Sequence, residues 1–292
     1  MSPTRASHVA PAIAPAIAIA MIMASAAGVS GQSCAVPCVG PMRGAVIAAG
    51  GGVLGDEIYE EFVRMSGGAD ARIVLIPTAG DQYGTHDGWT AIQKLQAAGV
   101  THLEILHTRS TAIADMEAFS APLHEATGVW LSGGRQRRLV DVYLHTRTHA
   151  ELVRLLARGG VIGGNSAGAS ALASYLLRGG EANDVVATPA RDEGFGFLHN
   201  VAIDQHLVER GRETDLIEVL RTQPHLLGIG LNEGAALIVT RDFGRVLGNT
   251  VAIYDVTDPS VLIPMRWLNP GDVYDLGARR PLLDEAGRSP PS

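Results

Sequence analysis

Basic residues are the first shortage in these 292 residues: 23 Lys and Arg stand against 30 Asp and Glu, a formal net charge of −7. Nucleic-acid binding draws most of its affinity from neutralised phosphates. An acidic chain with scattered Lys and Arg is poorly suited to that role. Charge of either sign is scarce, at 18% of residues against roughly 25% in ordinary soluble domains. Disorder needs low hydrophobicity and high charge, so 46% apolar residues exclude it for most of the chain. Two cysteines are too few for a disulfide scaffold. Glycine is abundant instead, at 35 residues, which implies many tight turns and close backbone approaches.

Residues 1–26 read as a secretory signal peptide, giving a secreted or periplasmic location. Arg5 precedes an apolar run from Ala10 to Ala24, and Ala24-Ser25-Ala26 offers an A-x-A-like cleavage site. Pro11 and Pro15 interrupt this run, which falls short of the roughly 18–20 residues of a spanning helix, so no stable membrane insertion is expected. The competing readings are a disordered Ala/Pro tail and a retained N-terminal anchor. Residues 27–43 read as a linker in which Cys34 and Cys38 either pair locally or do nothing, and Gly31-Gln32-Ser33 is a poor lipobox. A single domain then covers residues 44–292, with Asp284 to Ser292 as a frayed tail.

From Gly44 onward short apolar runs alternate with amphipathic ones. Strands are expected at Ala45–Ala48, Arg72–Ile76, Leu103–Leu106, Gly128–Leu131 and Gly160–Gly163, continuous in apolar character as in a sheet covered on both faces. Helices are expected at Asp56–Met65, Gly88–Ala98 and His149–Ala157, by apolar spacing of i, i+3 and i+4; Ala112–Thr127 has no clear pattern. Alternation of this kind implies an α/β fold with a parallel-rich, doubly wound sheet, whose ligands sit beyond the carboxyl ends of the strands. After Val201 the pattern becomes strand-rich, at Val201–Gln205, Ala235–Thr240, Val246–Asp255 and Val261–Pro264.

Three loops carry candidate chemistry. Gly50-Gly51-Gly52-Val53-Leu54-Gly55 matches G-x-G-x-x-G, but the ribose-binding acid that should end the second strand is missing. A tight turn with close backbone packing is the favoured reading, and no cofactor is expected. Gly163-Gly164-Asn165-Ser166-Ala167-Gly168-Ala169 lies between a strand and the helical run Ser170–Leu177. It contains G-x-S-x-G in strand–turn–helix context, the nucleophile elbow. The turn exposes the Ser166 hydroxyl and aims the Ala167 amide at a developing oxyanion; the competing reading is a glycine-rich turn whose Ser caps the helix. Leu131-Ser132-Gly133-Gly134-Arg135-Gln136 closes another strand. Its glycine amides are placed to complete an oxyanion hole, and Gln136 to hold a substrate backbone; a plain turn is the alternative.

A serine nucleophile needs a base and a group to orient it. Among ten histidines His206 stands apart, because it closes the strand Val201–Gln205, while Glu233 lies between two apolar runs. The chain order is then Ser, His, acid, whereas an α/β-hydrolase has Ser, acid, His with a late His. The last histidine here is His225, which disfavours that fold.

These residues resemble the cyanophycinase and peptidase E-like serine peptidases. The resemblance rests on Gly50-Gly51-Gly52, Ile76-Pro77-Thr78-Ala79, Ser132-Gly133-Gly134-x-Gln136, Gly163-Gly164-x-Ser166-Ala167-Gly168-Ala169, Asp204-Gln205-His206-x-x-x-Arg210-x-Arg212 and Gly228-Ile229-Gly230-x-x-Glu233, in the family's order. It implies a fold similar to class I glutamine amidotransferases with Ser in place of Cys, a homodimer, and metal-free serine exopeptidase chemistry on aspartyl peptides. By the same resemblance Ser166, His206 and Glu233 are the catalytic residues, and Gly134 and Ala167 carry the oxyanion-hole amides. Gln136, Asp204, Gln205, Arg210 and Arg212 line the pocket for a β-aspartyl-arginine unit. Two guanidinium groups suit substrate carboxylates, and Asp204 a cationic group; for Arg210 and Arg212 the competing reading is solvated charge at a helix start. Two positions depart from the pattern: Asp215 stands where cyanophycinase has a third arginine, and Arg135 where it usually has Asp. The expected activity is release of β-Asp-Arg from cyanophycin or cleavage of a related β-aspartyl peptide. The alternatives are an amidase or acyltransferase with the same triad, an α-aspartyl dipeptidase, or a catalytically silent peptide-binding protein.

Overall fold

A computed structural model describes, besides Met1, residues 38–80, 86–178, 191–258, 260–261 and 264–282, with the side chains of 86–88 excepted. The expected leader, Cys34 and the tail from Asp284 lie outside these residues. Cys38 is buried. No helix among the described residues is long and apolar enough to cross a membrane.

The strands β1 (Ala45–Ala49), β2 (Arg72–Ile76), β3 (His102–Ile105), β4 (Gly128–Leu131) and β5 (Val161–Asn165) are parallel and lie side by side as β1-β5-β4-β2-β3. Alternate residues of each inner strand feed two different cores. Ala45, Ile47 and Ala49 pack with α1 (Asp56–Met65) and α2 (His86–Ala97), through Ile58, Phe62 and Leu95. Val46 and Ala48 face the opposite core, with Leu139, Leu152 and Ala169 from helices introduced below. Covering both faces is what makes these strands uniformly apolar. The unclear segment Ala112–Thr127 holds two short helices, α3 (Thr111–Ala114) and α4 (Glu117–Ser120), followed by a 3-10 turn. Next come α5 (Gln136–Tyr143) and α6 (Arg147–Ala157), of which α5 had no counterpart in the sequence reading, and then α7 (Ala167–Leu172).

The second half departs from a single sheet. Beyond α7 lie β6 (Ala173–Tyr175), β7 (Leu198–Gln205), α8 (Asp215–Thr222), β8 (Leu227–Leu231), β9 (Ala235–Thr240), β10 (Phe243–Gly248), β11 (Val251–Tyr254), β12 (Met265–Leu268), β13 (Val273–Asp275) and β14 (Arg280–Leu282). Among the described residues β9, β10, β13 and β14 extend the parallel sheet by antiparallel pairing to nine strands, while β12-β11-β8-β7-β6 form a separate five-stranded sheet. The expected strand Val246–Asp255 is therefore two strands in two sheets. The break falls at Gly248, whose φ of +79° an L side chain rarely adopts and where a Cβ would lie 2.1 Å from the Gly234 carbonyl oxygen. The helical run expected over Ser170–Leu177 ends at Leu172, because the following backbone is drawn into the smaller sheet: Ala173 and Tyr175 pair with Leu198 and Ala202. Tertiary pairing overrides helical propensity there. The strand expected at Val261–Pro264 starts at Met265 instead; residues 262 and 263 lie outside the described set.

Candidate active site

Ser166 follows β5 and precedes α7 with φ 53° and ψ −117°, a conformation that costs a non-glycine residue about 1–3 kcal/mol. The surroundings over-determine it. Its N–H donates to the Ala49 carbonyl at the end of β1 (2.8 Å), and a Cβ at Gly168 would lie 2.2 Å from the Leu131 carbonyl oxygen. Only a bare backbone lets α7 pack that close to β4.

The Ser166 hydroxyl lies 2.8 Å from His206 Nε2, and His206 Nδ1 lies 2.5 Å from Glu233 Oε1. With Nδ1–H donating to the carboxylate, Nε2 accepts the serine proton, which is the arrangement an activated serine requires. His206 follows the last residue of β7 with φ 53°. Glu233 sits in the link between β8 and β9. The three groups therefore come from different places: Ser166 from the larger sheet, His206 from the smaller, and Glu233 from a connection between the two.

Burial holds the His206 imidazole below its ordinary pKa of 6.5; the hydrogen bond to Glu233 opposes this, and the Arg210 and Arg212 charges assist it. At neutral pH the ring is uncharged and able to take a proton.

The triple glycine of the first loop forms the wall of this constellation. A Cβ on Gly51 would lie 2.7 Å from His206 Cε1 and 2.9 Å from Ser166 Cβ, and one on Gly52 would lie 2.3 Å from Glu233 Oε2. The loop is a close-packed turn, as the sequence favours, but the packing partner is the catalytic group itself. Nothing in the sequence pointed to that partner.

The other site residues are placed as follows. Gln205 Oε1 is 3.4 Å from Ser166 Oγ. Ala167 opens α7, where a first-turn N–H has no intrahelical acceptor. Gly134 precedes Arg135, whose N–H donates to the Ala79 carbonyl (2.9 Å), so this loop leans on the turn Pro77–Gly80. That turn is braced by Thr78 Oγ1, 2.7 Å from the buried Tyr143 hydroxyl and 2.9 Å from His107 Nδ1. Gln136 is buried, and its Nε2 donates to the Leu177 carbonyl (2.9 Å), so this group holds the protein's own backbone. Arg210 is exposed and makes no ion pair among the described residues. Arg212 donates to Gln205 O (3.1 Å) and reaches Asp204 Oδ1 at 3.4 Å.

Asp204, expected to face a substrate cation, is paired within the chain. It is 1% exposed and already carries a cation of this chain: Arg178 Nη1 donates to its Oδ1 (2.8 Å). The other end of the same guanidinium binds Asp215. Burial pushes the Asp204 carboxyl above the ordinary carboxylate value, with Arg178 and then Arg212 opposing. Its Oδ2 has no hydrogen-bond partner among the described residues. Arg178 belongs to no motif, and nothing local in the sequence could have singled it out.

The sequence model of peptidase family S51 matches residues 46–247. The cyanophycinase of Nostoc sp. is 33% identical over 226 residues, covering 73% of this chain and 74% of its own length. That of Synechococcus elongatus is 34% identical over 231 residues, covering 75% and 70%. A crystal structure of a peptidase from an acI-B1 actinobacterium superposes with a TM-score of 0.65 at 22% identity, over 81% of this chain and 98% of the other, and bears on the fold.

Proposed function

The chain belongs to peptidase family S51 and is a serine-type peptidase, and from that premise we propose that it hydrolyses aspartyl peptide bonds through an acyl-enzyme on Ser166. The observation that carries this reading is the unbroken line of hydrogen bonds from Ser166 through His206 to Glu233.

His206 Nε2 takes the Ser166 proton as Oγ bonds to the scissile carbonyl carbon. Glu233 holds the ring in the productive tautomer and stabilises the imidazolium that forms. The Gly134 and Ala167 amides receive the negative charge that builds on the carbonyl oxygen, a role worth roughly 10²–10³ in rate per donor. The C–N bond then breaks, His206 returns the proton to the leaving amine, and a water activated by the same ring releases the acyl group. No metal or cofactor enters this reading.

The substrate class is a β-aspartyl peptide, cyanophycin or a relative of it; the relatives' names support this. The family resemblance is what supports kinship with class I glutamine amidotransferases and a homodimer. The composition of residues 1–26 supports export to a secreted or periplasmic location.

A fluorophosphonate probe tests the nucleophile, with labelling expected on the native protein and lost in Ser166→Ala. Mass spectrometry of α- and β-aspartyl peptides, with and without amine acceptors, reads hydrolysis against transfer. A folded native protein that neither labels nor cleaves would sink the proposal and leave a silent binding protein.

A further inference from the structure

The motif Ile76-Pro77-Thr78-Ala79 is part of the resemblance but has no role in the catalytic steps. It forms the turn on which the Gly134 loop leans. Leu131 of β4 lies opposite Gly164 of β5, so the loop that follows Leu131 leaves the sheet beside Ser166. The loop's own buried hydroxyl does not hold it there: Ser132 is fully buried, and its Oγ has no hydrogen-bond partner among the described residues. Backbone contacts with the turn hold it instead. Ser132 N–H donates to the Ile76 carbonyl (3.1 Å) and Arg135 N–H to the Ala79 carbonyl (2.9 Å). Between them Gly134 packs so closely that a Cβ there would lie 2.3 Å from the Ala79 oxygen. Arg138 Nη1, from α5, donates to that same oxygen (3.2 Å).

The Gly134 amide is therefore placed only as well as Ala79 is, and Ala79 depends on what anchors its turn. Thr78 is fully buried, with Oγ1 2.7 Å from the Tyr143 hydroxyl and 2.9 Å from His107 Nδ1. The Tyr143 oxygen also accepts from Thr108 N–H (3.3 Å), and Arg109 donates to the Gly80 carbonyl. Burial pushes the Tyr143 phenol above its ordinary pKa of 10.0, so it keeps its proton. Helix α5 begins at Gln136, directly after the loop, and ends at Tyr143. The contacts thus close on themselves: loop, α5, Tyr143, Thr78, Ala79 and the loop again.

We propose that Thr78 and Tyr143 are positioning residues for the oxyanion hole: their buried hydroxyl pair locks the turn after β2 and, through the Ala79 carbonyl, aims the Gly134 amide. Neither side chain takes part in bond making or breaking. The inference rests on the serine-peptidase reading and on the Gly134 amide as an oxyanion donor. Such a donor acts on charge that develops only in the transition state, and a misplacement of about 1 Å can cost about a hundredfold in rate. Loosening the brace should therefore lower kcat and leave KM nearly unchanged.

The test uses Tyr143→Phe, Thr78→Val and the conservative Thr78→Ser. A fluorophosphonate probe, in which Ser166 Oγ bonds to phosphorus as fluoride leaves, gives two readings. The fraction labelled at completion counts intact sites, and the rate constant reports how well each site stabilises the charge on the phosphoryl oxygen. Tyr143→Phe and Thr78→Val should label to the native fraction with rate constants at least about tenfold lower. Their kcat on an aspartyl peptide should fall in parallel, with KM within about twofold, and Thr78→Ser should recover most of the loss. Native rate constants in the first two variants overturn the inference, and so does a loss confined to the labelled fraction or the thermal midpoint. Should Thr78→Val not fold, Tyr143→Phe, which removes a single oxygen, decides with Thr78→Ser. A native protein that does not label fails the peptidase reading itself and takes the inference with it.

Discussion

The end of β7 serves two neighbouring arrangements with opposite physics. His206 belongs to a relay in which every group has its partner and the only formal charge is on Glu233. Asp204, two residues earlier, belongs to a cluster of four charged side chains in which a carboxylate oxygen has no partner among the described residues. The relay is walled by bare glycine backbone, so its geometry is fixed by what is absent. The cluster is held by mutual attraction between long side chains. Reaction chemistry tolerates little variation in position, whereas an ion-pair cluster contributes through charge balance that several geometries satisfy only in part.

The largest effect should come from cutting the relay. Ser166→Ala or His206→Ala should lower kcat by roughly 10⁴–10⁶ while the thermal midpoint stays near the native one; a loss of tenfold or less would place the nucleophile elsewhere. Next in size is the wall. Gly52→Ala puts a Cβ against Glu233 at a backbone φ of +63°, and kcat should fall at least about a hundredfold, with roughly 1–3 kcal/mol of stability lost. Active-site titration and denaturant melts separate the two losses.

For the cluster the order of effects inverts, stability before rate. Asp204→Asn leaves Arg178 and Arg212 facing each other without the buried carboxylate, and should cost about 3–5 kcal/mol in urea unfolding. The smallest expected change links the two regions. The depressed His206 pKa places the acid limb of kcat/KM below pH 6.5. Arg210→Gln removes a cation that disfavours the imidazolium, so the limb should move to higher pH; a move to lower pH contradicts the assignment. The same depressed pKa makes charging His206 unfavourable in the folded protein, so this group lowers stability as pH falls below about 6.5.

The relay could be read from sequence because catalysis demands fixed residue types in fixed turns. The elbow needs glycines around Ser166, and His206 closes the strand Val201–Gln205, where a base can face a cleft. The parallel strands were legible for a similar reason, since burial on both faces leaves an apolar run such as Ile73–Ile76. The smaller sheet was not, because β6 and β11 exist through pairing with distant partners, and a local window sees only a helical run at Ser170–Leu177 and one long strand at Val246–Asp255. Arg178 lies beyond any motif, and only the fold brings it to Asp204 and Asp215. The triple glycine gave a true signal with the wrong object: close approach was evident, the approaching group was not.

Because Ser166 rides on one sheet and His206 on the other, the 2.8 Å between them works as a caliper for the seam joining the two sheets. A slip of one ångström along that seam uncouples base from nucleophile while leaving every strand, and nearly all the buried surface, intact. Catalytic competence is thus the most delicate gauge of how the two sheets register, and on heating it should vanish ahead of any spectroscopic sign of unfolding.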